Sequence, residues 1–301
     1  MRNAVQQRDA VLAPRLEIEG DAGRDGGALA NNEWRLDSRL SSGLMQDHWR
    51  VFYRQVFARG DTNIGDVKLV RGGLGVQWQN DRWQLSGEVN QANDGPYRTG
   101  VTLGARWRAS DYWRFAAELD TNSLDTPWKA RATGVGAHAL ALSSTFVANE
   151  SRSIEGRWQR MDFSDGNVRD ALGVSWRERW IATPRFQLES TLGAESGRSD
   201  RQDVAYFSPS RESAVQLGLA ARYLTWKRDD RRFTQVVEVS GGSYHQANFG
   251  SDPLWSVRYS HEWELGPSLL FRYGIGVSSH PYDGVRERRK FVFFNVSVPL
   301  K

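Results

Sequence analysis

The sequence lacks cysteine, and none of its 301 residues belong to an apolar run long enough for a membrane-spanning helix. Such a helix needs about 20 predominantly apolar residues in succession, so helical membrane insertion is excluded. The absence of cysteine is compatible with the oxidising cell envelope. The mean hydropathy of −0.60 resembles that of a soluble protein. A membrane β-barrel has equally low average hydropathy, because its strands alternate lipid-facing and lumen-facing residues.

Signatures of catalysis and of nucleic-acid binding are also missing. The 40 basic residues are interspersed with 36 acidic residues, and no basic run stands out, so the charge pattern does not indicate a nucleic-acid partner. There is no HExxH sequence, no P-loop and no zinc-type cysteine and histidine cluster. We therefore predict a protein that is not an enzyme, with no catalytic residues, no metal and no cofactor.

The first residues also lack the apolar segment of a signal peptide, since Met1, Arg2 and Asn3 lead into a polar stretch. We interpret residues 1–14 as a linker or tail and residues 15–301 as one barrel domain. Because a protein of the outer membrane must be exported, we expect the chain to be a fragment. The signal peptide, and a periplasmic domain with it, would belong to the missing part.

What the sequence has is a recurring period of two from Arg15 onward. Strict alternation of apolar and polar residues predicts strands with two unlike faces. The clearest apolar face consists of Trp255, Val257, Tyr259, His261, Trp263 and Leu265. Sixteen such segments are predicted, starting near residues 15, 33, 48, 67, 82, 98, 112, 135, 151, 168, 185, 213, 232, 254, 268 and 289. The even count predicts an all-β, antiparallel transmembrane barrel.

The predicted connections alternate between short and long, which is typical of periplasmic turns and extracellular loops. The longer ones are predicted at 20–32, 120–134, 195–212, 244–253 and 279–288. With an even number of strands, both chain ends fall on the periplasmic side of the bacterial outer membrane. Tryptophans flank the short turns, as in an interfacial aromatic girdle. The alternative is a soluble β-sandwich with tryptophans in its core.

The alternation also assigns side chains to the lumen. The glutamates predicted to point inward as substrate contacts are Glu17, Glu19, Glu88, Glu118, Glu155, Glu189, Glu238 and Glu262. Two roles are open for them. They can pair with arginines of neighbouring strands in a hydrated wall, or they can set the electric field along a channel.

Three segments carry a resemblance to a known family. They are Trp158 to Asn167 (WQRMDFSDGN), Tyr206 to Arg211 (YFSPSR) and Pro281 to Glu287 (PYDGVRE). In this order on a barrel of this length, they resemble the C-terminal domain of the poly-β-1,6-N-acetyl-D-glucosamine export porins (PgaA/HmsH). The resemblance implies a sixteen-stranded barrel that exports a partly de-N-acetylated polysaccharide for biofilm formation. It also implies an upstream repeat domain and a periplasmic deacetylase as partners, besides outer-membrane lipid.

Within this resemblance, the candidate polysaccharide contacts in the extracellular segments are Tyr206, Phe207, Arg211, Tyr282 and Asp283. Aromatic rings can stack on sugars and carboxylates can bind hydroxyls or amines, but these residues can equally pack the loops together. Three other functions stay open for the chain. They are an outer-membrane hydrolase of the barrel type, a porin for another polymer or for small solutes, and an adhesin or structural barrel with a plugged lumen.

Overall fold

The computed structural model describes residues 12–266 and 269–300, which form one closed antiparallel β-barrel. The sixteen strands are β1 (Arg15–Gly26), β2 (Ala30–Ser41), β3 (Trp49–Thr62), β4 (Gly65–Gln79), β5 (Trp83–Ala92), β6 (Thr99–Arg108), β7 (Trp113–Asp120), β8 (Ala137–Asn149), β9 (Arg152–Phe163), β10 (Val168–Ala182), β11 (Phe186–Ser199), β12 (Glu212–Arg228), β13 (Arg231–Gln246), β14 (Gly250–Leu265), β15 (Leu269–Tyr282) and β16 (Val285–Pro299). The predicted all-β barrel is confirmed. Each predicted strand start lies within four residues of the observed one.

Each strand pairs with its sequence neighbours, and β1 pairs with β16 to close the sheet. Because the strand number is even, β1 begins and β16 ends at the same edge, which we call the terminal rim; the opposite edge is the loop rim. The predicted tail is described only from Leu12 onward. The helix α1 (Trp128–Ala132) lies between β7 and β8. Among the described residues, no helix has the length and apolar character needed to cross a membrane.

The two faces of the barrel wall differ as the alternation predicts. The outer face is apolar, with Leu74 69% exposed and Val89 and Ile275 each 60% exposed. Polar and charged side chains of the same strands point inward. Exposed aliphatic side chains in such numbers are stable only against an apolar medium. The wall is therefore built to be surrounded by lipid.

Aromatic residues of the outer face concentrate at the terminal rim. Trp83 stacks on Trp107 at 5.3 Å between ring centroids, and Trp107 stacks on Phe115 at 5.5 Å. Trp113 continues the row through Phe115 at 5.8 Å. These rings lie beside the short turns after β4 and β6, so the sequence correctly predicted an aromatic girdle there.

The loop prediction was right for two connections and wrong for three. Residues 121–136 and 200–211 are long connections at the loop rim. The connections predicted at 20–32, 244–253 and 279–288 are instead tight turns of residues 27–29, 247–249 and 283–284. Their flanking strands extend further than expected, because the hydrogen-bonded ladders continue where neither face keeps an apolar period. Arg24 and Asp25, for example, are both in or beside paired positions although their side chains are exposed.

Close strand packing gives a sharp prediction at Gly242 of β13. A Cβ atom placed there falls on the carbonyl oxygen of Val215 and lies 2.8 Å from the Cα of Gln216. Because the obstacle is backbone, Gly242→Ala should cost about 1–3 kcal/mol of overpacking and lower the yield of folded barrel. At the adjacent Gly241 the nearest atom is 3.9 Å away, so Gly241→Ala is the matched control. Heat-modifiable migration in detergent gels measures both; equal yields would contradict the prediction.

Candidate functional site: the barrel interior

The barrel interior contains a cavity of about 610 Å³, which we call the acidic cavity. It lies toward the terminal rim, since Glu17 and Glu155 come soon after the first residues of β1 and β9. Six carboxylates line it: Glu17, Glu19, Asp37, Glu88, Glu118 and Glu155. Four guanidinium groups face the same space: Arg39, Arg54, Arg106 and Arg157. The lining therefore carries two more negative than positive formal charges.

Four of the predicted glutamates form no close ion pair with an arginine among the described residues, although Glu17 faces Arg39 across strands β1 and β2. Within the described part of the chain, Glu17, Glu118 and Glu155 form no ion pair, while Glu19 accepts a hydrogen bond from Asn295 Nδ2 at 2.8 Å. Strands β1 and β9 are half the barrel circumference apart. The unpaired carboxylates therefore stand on opposite walls of one cavity, where each is available to a cation in the lumen.

The other four predicted glutamates are held by arginines. Glu88 is 5% exposed and lies 3.4 Å from Arg71. The remaining contacts are Glu189 with Arg179 at 2.8 Å, Glu238 with Arg272 at 3.3 Å and Arg258 at 3.6 Å, and Glu262 with Arg222 and with Arg272 at 3.4 Å. For these four glutamates the contacts fit one of the two roles that the sequence left open, pairing with arginines, and the field-setting role of the other glutamates stays a prediction.

The balance of charge in the acidic cavity is modest. Asp37 is paired with Arg54 at 2.6 Å, so this pair contributes little net field. Arg106 and Arg157 form no ion pair with a described carboxylate, and Arg39 donates to Gln77 Oε1 at 3.0 Å while covering the Phe52 ring at 3.7 Å. A cationic ligand would therefore meet several weak binding sites and no single high-affinity site.

Loop 121–136 folds into the lumen near the loop rim. The Trp128 indole Nε1 donates to Glu33 Oε2 of β2 at 2.7 Å, and Leu124 and Trp128 pack against the inward-facing Ala58, Leu69 and Ala92. Glu33 also accepts from Arg289 Nε at 2.7 Å. The loop begins on β7 and folds inward against the side of the lumen formed by β2, β3 and β4.

Two buried arginines anchor the loop. Arg71 is 1% exposed and donates to Asp120 Oδ2 at 2.9 Å and to the carbonyl of Asn122 at 2.7 Å. Arg131 of α1 donates to Asp94 Oδ2 at 2.8 Å and to the carbonyl of Ser123 at 2.6 Å. Removing a partner from such buried pairs is costly, so the inward path of the loop is strongly fixed.

A second cavity of about 380 Å³, the mouth cavity, lies nearer the loop rim and is lined by Phe207, Tyr244, His280 and Tyr282. Phe207 meets Tyr282 edge to face at 4.9 Å, and His280 stacks on Tyr282 at 4.4 Å. Arg157 lines both this cavity and the acidic cavity. The two cavities therefore approach each other at β9.

Of the five residues predicted as extracellular contacts, Phe207 and Tyr282 are brought together at the mouth cavity. Tyr206 is 6% exposed and its hydroxyl bonds to Asn167 and Asp165, so it packs loop 200–211. Burial raises the pKa of the Tyr206 phenol well above its usual range.

Two of these five predictions need correction in their placement. Tyr282 is the last residue of β15 and not part of a long loop, and Asp283 forms a two-residue turn. Asp283 has a φ of 51° and its carboxylate accepts from Gln246 Nε2 at 2.7 Å, so it stabilises this turn. The side chain of Arg211 is exposed within loop 200–211.

Sequence reasoning missed the residues that shape the lumen from within it. Trp128, Arg71 and Arg131 act through contacts with strands far away in the chain, and no local pattern predicts such contacts. Phe291 and Phe293 were also missed as lumen residues. The alternation along β16 places them on the inward face, since Val292 and Phe294 point to the lipid. In the described part of the chain, no cluster of three or more potential ligands could hold a metal ion.

A closed antiparallel barrel of sixteen strands with an apolar outside and a charged, cavity-bearing inside defines the chain as an outer-membrane β-barrel of the porin class. Residues 13–298 match the model of the PgaA membrane beta barrel domain, and the chain belongs to that family.

Known relatives agree with this assignment. The chain is 23% identical over 286 residues to the poly-beta-1,6-N-acetyl-D-glucosamine export protein of Escherichia coli O157:H7, covering 94% of this chain and 35% of that protein. A solved bacterial polysaccharide outer membrane secretin superposes with a TM-score of 0.88 at 21% identity, over 97% of this chain and 99% of that one. Pseudomonas aeruginosa OccK3 (OpdO) superposes with a TM-score of 0.53 at 11% identity over the full length of both chains. These structural likenesses show the fold.

Proposed function

We propose that this barrel exports partly de-N-acetylated poly-β-1,6-N-acetyl-D-glucosamine across the outer membrane, acting as a conduit and not as an enzyme. The proposal rests on one observation: four carboxylates without a close arginine ion pair lie on opposite walls of the acidic cavity. Removal of acetyl groups exposes amines that are protonated at neutral pH. The family relationship and the name of the Escherichia coli relative support the choice of polymer.

In this proposal the terminal rim faces the periplasm and receives the polymer. The acidic cavity opens toward that side, so the ammonium groups would meet carboxylates before they reach the mouth cavity. A polymer must be released as readily as it is bound, which favours many weak sites over one strong site. We further propose that a periplasmic deacetylase acts upstream and that a repeat domain delivers the polymer to the barrel.

The test is deletion of the gene that encodes this chain in its own bacterium. Surface polymer, measured with a lectin that binds N-acetylglucosamine, should fall to background, while polymer accumulates inside the cell. Reintroducing the unaltered gene should restore the surface signal. Undiminished surface polymer in the deletion strain would contradict the proposed function.

A further inference from the structure

Two phenylalanines form a stripe on the lumen wall between the two cavities. Phe291 and Phe293 of β16 alternate with the lipid-facing Val292 and Phe294, and their side chains are half-buried. Below them, Asn295 of the same strand lines the acidic cavity. Above them, His280 and Tyr282 of the paired strand β15 line the mouth cavity. The stripe therefore continues one column of lumen residues from cavity to cavity.

Glycines in β15 hold both rings against the wall. A Cβ atom at Gly276 would fall on the Phe291 ring, and one at Gly274 would lie 2.7 Å from Phe293 Cζ. Each ring therefore extends sideways over the backbone of the neighbouring strand, where any side chain would displace it. This arrangement keeps the aromatic surface along the wall.

Arginines lie over both rings, at 5.2 to 5.6 Å from the ring centroids, and the rings stay half-buried. The Arg258 guanidinium carbon lies 5.2 Å from the centroid of Phe293, and that of Arg289 lies 5.3 Å from the centroid of Phe291. The contrast is Phe52, which Arg39 covers at 3.7 Å and which is 5% exposed. Phe52 lines the acidic cavity but exposes little of its ring, whereas Phe291 and Phe293 are half-buried.

The chemistry of the stripe differs from that of the acidic cavity. Arg258 is paired with Glu238 at 3.6 Å and Arg289 with Glu33 at 2.7 Å. Asp21 of β1 is the cross-strand neighbour of Phe293 and lies 3.8 Å from Arg289. Among the described residues, the stripe therefore has guanidinium donors beside it, and these neighbouring carboxylates each lie near an arginine. The faces of a β-linked pyranose ring carry C–H bonds that pack on aromatic rings. Guanidinium N–H groups can donate to the carbonyl oxygen of an acetamide.

We propose that Phe291 and Phe293 form a subsite for N-acetylated sugar units, separate from the carboxylates that take the free amines. This inference rests on the proposed function and adds to it that acetylated and de-N-acetylated units bind at different places in the lumen. Acetylated units of the polymer would slide along the stripe, while de-N-acetylated units would exchange among the carboxylates. The barrel would thereby accommodate a polymer of mixed composition.

The experiment measures block of the ionic current through the purified chain in planar lipid bilayers. The probes are a fully N-acetylated and a fully de-N-acetylated β-1,6-linked glucosamine oligomer of equal length. In the double variant Phe291→Leu/Phe293→Leu, binding of the acetylated oligomer should weaken about five- to tenfold. Binding of the de-N-acetylated oligomer should change by less than about twofold, because its contacts are electrostatic.

Controls separate stacking from folding. Phe294→Leu removes a lipid-facing ring from the same strand and should leave both affinities unchanged. Phe291→Tyr/Phe293→Tyr keeps the aromatic rings and should retain binding of the acetylated oligomer. If the unaltered chain binds neither oligomer, the proposed function fails. If it binds both and the leucine variant binds the acetylated oligomer equally well, the subsite is wrong while the proposed function stands.

Discussion

Replacing together the four glutamates of the acidic cavity that have no close arginine ion pair should reduce passage of a de-N-acetylated oligomer by about tenfold or more. Each solvated carboxylate–ammonium contact contributes about 0.2–1 kcal/mol, and about 1.4 kcal/mol corresponds to a factor of ten. A single Glu→Gln change should therefore have a small effect, and only the combined variant a large one. The substitutions are Glu17→Gln, Glu19→Gln, Glu118→Gln and Glu155→Gln.

The measurement compares flux of the de-N-acetylated and the acetylated oligomer through the same variant. A charge-matched control changes four carboxylates at the loop rim, three exposed and one (Asp252) half-buried: Asp25→Asn, Asp66→Asn, Asp203→Asn and Asp252→Asn. The selective loss should also shrink as salt is raised, since the Debye length is about 8 Å at physiological ionic strength. Equal loss of both fluxes would indicate a folding defect. Unchanged flux of both would mean that these glutamates only balance nearby arginines.

The architecture was predictable from the sequence because the period of two is local. Side chains two residues apart share a face of a strand, so the inward direction of Glu17 and Glu155 followed without knowledge of the register. The same rule places Phe291 and Phe293 in the lumen. Their position was available from the sequence, but their availability to a ligand depends on Gly274 and Gly276 of the paired strand.

The pairing of charges was not predictable, because it depends on register and side-chain reach across several strands. Glu262 of β14 contacts Arg222 of β12, which is not an adjacent strand. Nothing in the local pattern distinguishes Glu262 from the unpaired Glu155. The path of loop 121–136 was not predictable either. Only a tertiary contact, that of Trp128 with Glu33, shows that this loop folds into the lumen.

Because loop 121–136 lies inside the lumen, we expect its release to raise the conductance of the barrel. A barrel of about sixteen strands is wide enough for an aqueous channel unless it is plugged, and loop 121–136 lies inside the lumen against β2, β3 and β4 near the loop rim. Trp128→Ala removes both the hydrogen bond to Glu33 and the packing against Ala58 and Leu69. The single-channel conductance in planar bilayers should increase severalfold. Trp34→Ala, which removes a 44% exposed, lipid-facing ring from β2, is the matched control.

A reversible crosslink can show that the released loop causes the rise. The chain has no cysteine, and a Cβ atom at Gly65 would lie 3.8 Å from the Cβ of Ala132, close to the mean spacing of about 3.8 Å in disulfides. Gly65→Cys/Ala132→Cys added to Trp128→Ala should restore low conductance when oxidised and lose it again on reduction. The positive φ of Gly65 adds strain, so crosslink formation is first verified by gel mobility. Low conductance of Trp128→Ala without the crosslink would show that the arginine anchors alone hold the loop in the lumen.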